Sequence, residues 1–146
     1  MTDPSISIER RVAELGLVLP LVKAPAANYA NAVRVGDMVY LSGTVPVDEH
    51  GNIPTGKVGA DISTSVAAQH ARLVGLHQLA ILREELGSLD RVRRVVKLLG
   101  MVNAVPDFTE HSAVINGCSD LFVDVFGERH ARSAVGVGSL PFGITV

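Results

Sequence analysis

The sequence predicts an α+β fold in which two long helices lie on one face of a mixed sheet. Two stretches, residues 61–86 and 107–126, repeat apolar residues at the spacing of a helix face. Shorter apolar or alternating runs, bounded by glycine, proline and polar clusters, are typical of strands. The elements follow in the order helix, strand, strand, long helix, strand, helix, strand and strand. Helices placed between pairs of strands indicate a single sheet covered by helices.

Composition narrows the function classes. The chain has 146 residues, 47% hydrophobic and 19% charged, which predicts one domain, residues 1–146, with apolar surface to bury against copies of itself. A net charge of −2 gives no basic surface for nucleic acid. No run approaches the roughly 18 apolar residues of a membrane span, and the N-terminus has Asp3 and Glu9 where a signal peptide would be apolar. The single cysteine, Cys118, fits an unreactive position in a protein of the reducing cytoplasm.

The N-terminal segment predicts a short helix and then an extended connector. Residues 5–15 have apolar residues on one helical face, with Ser5 or Ser7 as the N-cap. Residues 17–27 contain two prolines, which favour an extended chain. We expect this helix to pack against the domain rather than to carry chemistry.

A β-hairpin is predicted next. Residues 31–35 and 38–42 flank Gly36-Asp37, a two-residue turn with glycine where a positive φ is needed. The polar loop that follows, residues 48–59, allows a short edge strand around Asn52-Ile53.

The first long helix is expected to be capped by Asp61 or Ser63 and to end at Gly87. It carries His70 and His77 on one face, two turns apart. Two turns separate them by about 10 Å, too far to share a metal ion. We therefore expect both histidines to be structural or solvated.

The second half of the chain predicts strand, helix, strand and strand. Residues 91–102 form the first of these strands. The helix is predicted to begin at Asp107, with Glu110 completing a capping box, and to end at Gly127. Residues 142–146 are predicted to begin the last strand.

The stretch 131–141 is the most distinctive in the chain. It alternates Ser133, Val135 and Val137 with a second face of Ala134, Gly136 and Gly138. Glycine within a strand marks the close approach of a ligand or another backbone, so this face predicts such a space. Arg132 opens the strand and is suited to hold a carboxylate or phosphate through two parallel hydrogen bonds. From the residues alone, a surface ion pair is the simpler interpretation of Arg132.

Four segments of the sequence resemble, in their order and spacing, the segments of a known protein family. They are Tyr29-Ala-Asn-Ala-Val33 with Val35-Gly-Asp-Met-Val-Tyr-Leu-Ser-Gly43, Gly59-Ala-Asp-Ile62 leading to Gln69, Leu86-Gly-Ser-Leu-Asp-Arg-Val92, and Ala131-Arg-Ser-Ala-Val-Gly-Val-Gly-Ser-Leu-Pro141. Together they cover residues 28–146 and resemble the Rid family, also called YjgF-like. The N-terminal helix and connector, residues 1–27, exceed the compact core of that family and indicate an outlying branch.

The resemblance implies a chorismate-mutase-like α+β fold that assembles as a homotrimer, with the sheets packed into a central barrel. Ligand sites then lie in clefts between neighbouring subunits. The best-characterised members hydrolyse reactive enamines and imines, made from serine or threonine by pyridoxal-phosphate enzymes, to 2-keto acids and ammonia. They use no metal or organic cofactor, and their ligand is a small metabolite that bears a carboxylate.

The resemblance also implies roles for particular residues. Arg132 matches the arginine that holds the substrate carboxylate, and Tyr29 matches a tyrosine that lines the pocket from the adjacent subunit. Gly43 matches a glycine close to the ligand, and Asn116 falls near an asparagine of the pocket. Ala134 stands where cysteine is common and contributes backbone hydrogen bonds to the amino or imino group.

Two functions remain open at this point. The hydrolytic members carry a water-orienting glutamate on the last strand. By register it would follow Val146, where the sequence stops, so either the sequence is trimmed there or this carboxylate is missing. The chain is therefore expected either to hydrolyse 2-aminoacrylate-like enamines and imines or to bind a small carboxylate as a non-catalytic trimer. The ribonuclease activity described for a few relatives is the weakest candidate, because the chain has no basic face.

Overall fold

The α+β class is confirmed by a computed structural model that describes residues 6–146. Its helices and strands, in chain order, are α1 (Ile8–Glu14), β1 (Ala32–Val35), β2 (Met38–Leu41), α2 (Thr64–Leu86), β3 (Lys97–Asn103), α3 (His111–Phe126) and β4 (Ala131–Val137). Short 3₁₀ turns lie at Leu89–Arg91 and Pro141–Gly143. Within residues 6–146, no helix is both long and apolar enough to cross a bilayer.

Helix α1 is a packed part of the core, as expected. Its N-cap is Ser7, whereas the alternative cap, Ser5, lies outside the described residues. Glu9 accepts two hydrogen bonds from Arg83 of α2, at 3.1 and 2.7 Å. These bonds hold the pKa of the Glu9 carboxyl below its usual value. Val12 is buried among α2 and α3 residues, so α1 contributes to the main core.

The predicted hairpin is confirmed. Strands β1 and β2 pair antiparallel, with Val33 opposite Tyr40, and the turn glycine, Gly36, has a φ of 58°.

The edge strand proposed at Asn52-Ile53 is wrong. The carboxylate of Asp48 accepts hydrogen bonds from the backbone N–H groups of His50 and Asn52, at 2.9 and 2.8 Å. These bonds turn the chain back on itself and remove donors that a strand would need. Isolated β-bridges form further along this loop, between Thr55 and Ile144 and from Val58 to Ile62 and Ala104.

Helix α2 has the predicted ends. The Ser63 hydroxyl accepts a hydrogen bond from the Val66 N–H at 3.2 Å, so Ser63 and not Asp61 is the N-cap. Gly87 ends the helix with a φ of 80°, a left-handed conformation that favours glycine.

Strands β3 and β4 pair in parallel, with Leu98 opposite Arg132 and Gly100 opposite Ala134. The strands thus form two two-stranded ladders, β1–β2 and β3–β4, instead of one continuous mixed sheet. Strand β3 begins at Lys97 instead of residue 91, because residues 89–91 close a 3₁₀ turn that Ser88 caps.

Helix α3 begins at His111, so the predicted N-cap at Asp107 is wrong. Residues 105–108 form a turn in which the Phe108 N–H donates to the Val105 carbonyl at 3.1 Å. Phe108 packs against Gly59, where an added Cβ would lie 3.0 Å from its ring. Because residues 105–108 are held in this turn, the first helical turn cannot form there and α3 begins at His111. Gly127 ends the helix as predicted.

The predicted strand at residues 142–146 is also wrong. Residues 141–143 form a 3₁₀ turn, and Ile144 makes only an isolated bridge. Thr145 is fully buried, and its carbonyl accepts the Asn103 N–H at 2.8 Å. Its hydroxyl lies 2.8 Å from Nδ1 of His70, which attaches the end of the chain to α2.

His70 and His77 have structural roles, as expected. His70 bonds Thr145, and Nε2 of His77 lies 3.3 Å from the Val47 carbonyl oxygen. Burial lowers the pKa of both histidines.

The two long helices touch at the level of their backbones. A Cβ placed on Gly117 of α3 would overlap the carbonyl of Ala68 in α2. A Cβ on Gly75 of α2 would come within 2.9 Å of the Leu121 side chain. Only glycine permits this approach at residue 117, because the neighbour there is backbone and cannot rotate away.

We expect Gly117→Ala to lower the free energy of unfolding by about 2 kcal/mol, because overpacking against backbone outweighs the roughly 1 kcal/mol that alanine gains over glycine in a helix. Urea unfolding followed by circular dichroism measures the change. The matched control is Gly138→Ala, where an added Cβ meets no atom within 4 Å. Equal stability of the two variants would contradict the backbone contact.

We expect the stability of the protein to fall as the pH drops below about 6.5, and His70→Asn to flatten that dependence. The folded pKa of His70 is lowered from 6.5 by burial, so below that pH the unfolded chain binds more protons than the folded one. Asparagine keeps a polar group near the Nδ1 position without titrating. Thermal midpoints across pH test this, with the exposed loop residue His50→Asn as control. An unchanged slope in His70→Asn would refute it.

Candidate functional site

Arg132 lies on the inward face of β4 and reaches α3. Its Nη1 donates to Oδ1 of Asn116 at 2.7 Å and to Oγ of Ser119 at 3.2 Å. Among residues 6–146 it pairs with no carboxylate, so the interpretation of Arg132 as one half of a surface ion pair is wrong.

Half of the guanidinium remains open. Arginine carries five N–H groups, and the two on Nη1 of Arg132 are occupied by α3. Within the described chain, its Nε and Nη2 donate to nothing. These two nitrogens form the planar fork that matches a carboxylate or phosphate. The arrangement therefore presents a held cation with one free binding edge.

Two residues that the sequence reasoning missed complete the cluster. Ser119 is 8% exposed, and its Oγ lies 2.9 Å from Nε2 of His130. The His130 ring packs edge-to-face on Phe122, with 6.1 Å between ring centres. Burial, and secondarily the charge of Arg132, lowers the pKa of His130. The spacing of Asn116 and Ser119, three residues apart on one helix, was a signal that could have linked them.

The small face of β4 is occupied by the protein itself. Ala134 packs against the core that contains Val102 and Ile115. A Cβ on Gly136 would lie 2.5 Å from Nε2 of His111 in α3. The sequence-based prediction that this face leaves room for a ligand is therefore wrong at Gly136, where helix α3 fills the space.

Tyr29 and Gly43 make no hydrogen bond, among the described residues, to the cluster of Arg132, Asn116, Ser119 and His130. Tyr29 is 48% exposed, and an added Cβ on Gly43 would meet no atom within 4 Å. No hydrogen bond among the described residues joins either of them to Arg132. The single chain thus brings Arg132, Asn116 and the Ala134 strand together, and leaves Tyr29 and Gly43 facing open space.

Cys118 is buried, and burial raises the pKa of its thiol to about 12. The thiol is therefore protonated at neutral pH and is a poor nucleophile, in agreement with the sequence-based expectation. Within residues 6–146, no group of three histidine, cysteine or acidic side chains is placed to hold a metal ion.

An open groove of about 570 Å³ lies between residues 59–64 and 105–110. It is lined by the carboxylates of Asp61, Asp107 and Glu110. These negative charges oppose a carboxylate ligand, so this groove is a poor candidate for an anion site.

The outer faces of both ladders are apolar and exposed. On β1–β2 and on β3–β4 the exposed side chains are Val33, Val35, Met38, Tyr40, Leu99, Met101 and Val135. Contiguous exposed apolar surface marks a contact site for another molecule.

Comparison with known proteins matches residues 9–143 to the family described as "YjgF/chorismate_mutase-like, putative endoribonuclease". Protein TCP17 of Trypanosoma cruzi is 44% identical over 142 residues, which cover 95% of this chain and 89% of that protein.

Similar solved structures include those of an Agrobacterium protein and of a bacterial protein with a bound amino acid. Protein Atu1372 of Agrobacterium tumefaciens, whose function is unknown, is 43% identical with a TM-score of 0.84, over 95% of this chain and 86% of that one. TdcF of Escherichia coli, solved with bound serine, is 25% identical with a TM-score of 0.58, over 85% of this chain and 86% of that one. The chain is thus nearer to the Trypanosoma and Agrobacterium proteins than to TdcF, as expected for an outlying branch.

Proposed function

Because the chain belongs to the YjgF/chorismate mutase-like family, we propose that it is a hydrolytic deaminase of reactive enamines and imines. Its substrates are of the 2-aminoacrylate type, and its products are 2-keto acids and ammonia. The observation that carries the proposal is the open Nε–Nη2 edge of Arg132.

The carboxylate of the substrate binds this edge through two parallel hydrogen bonds. Such bonds between charged groups are roughly twice as strong as neutral ones, and their fixed geometry orients the rest of a small ligand. The bound serine of E. coli TdcF supports a ligand of this class, because serine has the same α-carboxylate and nitrogen as the proposed substrate.

The nitrogen end of the substrate lies along β4. Among the described strands, β4 pairs with β3 alone, so alternate backbone groups of β4 point away from that ladder. Backbone groups at Ala134 hold the amino or imino nitrogen. An enamine first becomes the imine by moving a proton from nitrogen to its terminal carbon. Water adds to the imine carbon, both its protons pass to nitrogen, the carbon–nitrogen bond breaks, and the 2-keto acid and ammonia leave. Positioning of a substrate this reactive supplies much of the catalysis.

The proposal includes a homotrimer with the site between subunits. The exposed apolar outer faces provide surface for packing the sheets of three copies into a barrel. Tyr29 and Gly43 of one subunit then line the pocket of the next, which accounts for their open surroundings in the single chain. The buried, unpaired Cys118 fits the cytoplasm, where we place this activity.

A second candidate is a non-catalytic trimer that binds a small carboxylate metabolite. The bound serine of TdcF favours it, because serine is a stable amino acid and not a reactive intermediate. Endoribonuclease activity, named in the family description, has less support, because a chain with a net charge of −2 lacks the electrostatic attraction for a polyanion.

We expect wild-type protein to accelerate pyruvate formation from 2-aminoacrylate generated in situ, and Arg132→Ala to reduce that acceleration about 100-fold through loss of two charge-assisted hydrogen bonds. Arg132→Lys keeps the charge without the fork and is expected to fall between them. The control is Arg10→Ala, which removes an exposed arginine of α1.

Acceleration that survives Arg132→Ala would exclude this site. If wild type gives no acceleration but pyruvate raises its melting temperature, the non-catalytic binder replaces the deaminase.

We expect size-exclusion chromatography with light scattering to give about three times the chain mass of 15.4 kDa. Met101→Glu places a charge on the outer face of β3 and is expected to dissociate the trimer, because a buried unpaired charge is costly. Val66→Glu, at an exposed position of α2, is the control and should leave the mass unchanged. A monomeric wild type would rule out the inter-subunit site.

A further inference from the structure

The Arg132 side chain is held by more than the residues to which family roles were assigned. Its Nη1 makes two contacts with α3, one to Asn116 and one to Ser119, at 2.7 and 3.2 Å. Asn116 is exposed, whereas Ser119 is buried at 8% exposure. The position of Ser119 is therefore fixed by packing, whereas Asn116 lies on the exposed surface of α3.

Chemistry sets the direction of the bond between Arg132 and Ser119. Arginine only donates, so the Ser119 oxygen accepts from Arg132. The hydroxyl hydrogen of Ser119 is then available to Nε2 of His130, 2.9 Å away. Burial lowers the pKa of His130, so its imidazole is neutral at neutral pH, and its Nε2 either accepts that hydrogen or donates to the Ser119 oxygen, depending on the tautomer. In either tautomer, the bond to His130 restricts the rotation of the Ser119 side chain beside Arg132.

The position of His130 is itself fixed. It lies two residues before Arg132, and its ring packs edge-to-face on Phe122, in the same helix as Ser119. Its other nitrogen, Nδ1, is buried with no hydrogen-bond partner within the described residues. An unsatisfied buried polar atom costs free energy, so packing against Phe122 alone would favour an apolar side chain here. The bond from His130 to Ser119 is the gain that offsets this cost.

We propose that Ser119 and His130 are positioning residues that hold the Arg132 guanidinium in the orientation that presents its Nε–Nη2 edge to a ligand carboxylate. With both Nη1 hydrogens occupied, the plane of the guanidinium is fixed and a carboxylate meets a formed fork. Without the pair, the long side chain keeps its charge but rotates more freely, and ordering it on binding reduces affinity. This inference rests on the proposed function, since it assumes that Arg132 binds a carboxylate.

The test measures binding of pyruvate by ligand-observed NMR titration, with pyruvamide as the neutral counterpart. The variants are Ser119→Ala, His130→Leu and His130→Gln. Glutamine places an amide near the Nε2 position and keeps a partner for Ser119, whereas leucine keeps only the packing on Phe122. The matched control is Ser112→Ala, an exposed serine of α3. Melting temperatures confirm that each variant is folded.

We expect Ser119→Ala and His130→Leu to weaken pyruvate binding about tenfold, and His130→Gln and Ser112→Ala to bind it nearly as wild type does. Pyruvamide binding should be unchanged throughout, because it lacks the charge that the fork recognises. If His130→Leu fails to fold, Ser119→Ala decides the question alone.

Two results would overturn the inference alone. The first is wild-type pyruvate affinity in Ser119→Ala while Arg132→Ala loses binding. The second is an equal loss for pyruvate and pyruvamide, which would indicate a general structural effect. Absence of pyruvate binding by wild type itself would overturn the carboxylate site and this inference together.

Discussion

The close contact between α2 and α3 at Gly117 and Ala68 is the constraint on which the site depends. Because residue 117 faces α2, helical geometry turns Asn116 and Ser119 toward the other side of α3. That side meets the inward face of β4, where Arg132 is the second residue of the strand. A shift of α3 away from α2 would carry both hydrogen-bond acceptors with it, so helix packing sets the direction of the guanidinium.

The same constraint explains the small residues of β4. Helix α3 lies so close to the β3–β4 ladder that there is no room for a side chain at residue 136, which contacts His111. The same is true of Gly100 in β3, which contacts Ile115. These two glycines accommodate α3 and leave no space for a ligand at Gly136. Arg132 is nearer the start of β4, and its long side chain reaches Asn116 and Ser119 of α3. Close packing of α3 therefore explains the small residues of β4, whereas it does not explain the free edge of Arg132.

The sequence predicted what local chemistry determines. Serine at position 63 and glycine at 87 set the ends of α2 because caps act within one turn. The start of α3 failed because Phe108 packs on Gly59, a contact between distant segments that overrides the local capping box. Arg132 was identified through resemblance, whereas Ser119 and His130 were not, since the contact between them exists only once α3 and the segment before β4 are packed together.

Arg132 pairs with no carboxylate among the described residues, although the chain has 15 aspartate and glutamate residues. The three carboxylates of the groove lie at the N-terminal ends of the helices, whereas the two groups that accept from Arg132 are neutral, an amide and a hydroxyl. The His130 imidazole that bonds this hydroxyl is also uncharged at neutral pH. Neutral acceptors orient a guanidinium without cancelling its charge, but a carboxylate in the same place would do both. The cluster thus preserves the full attraction of Arg132 for an anion while restricting its motion. That combination is expected of a binding site and serves no purpose in a stabilising ion pair.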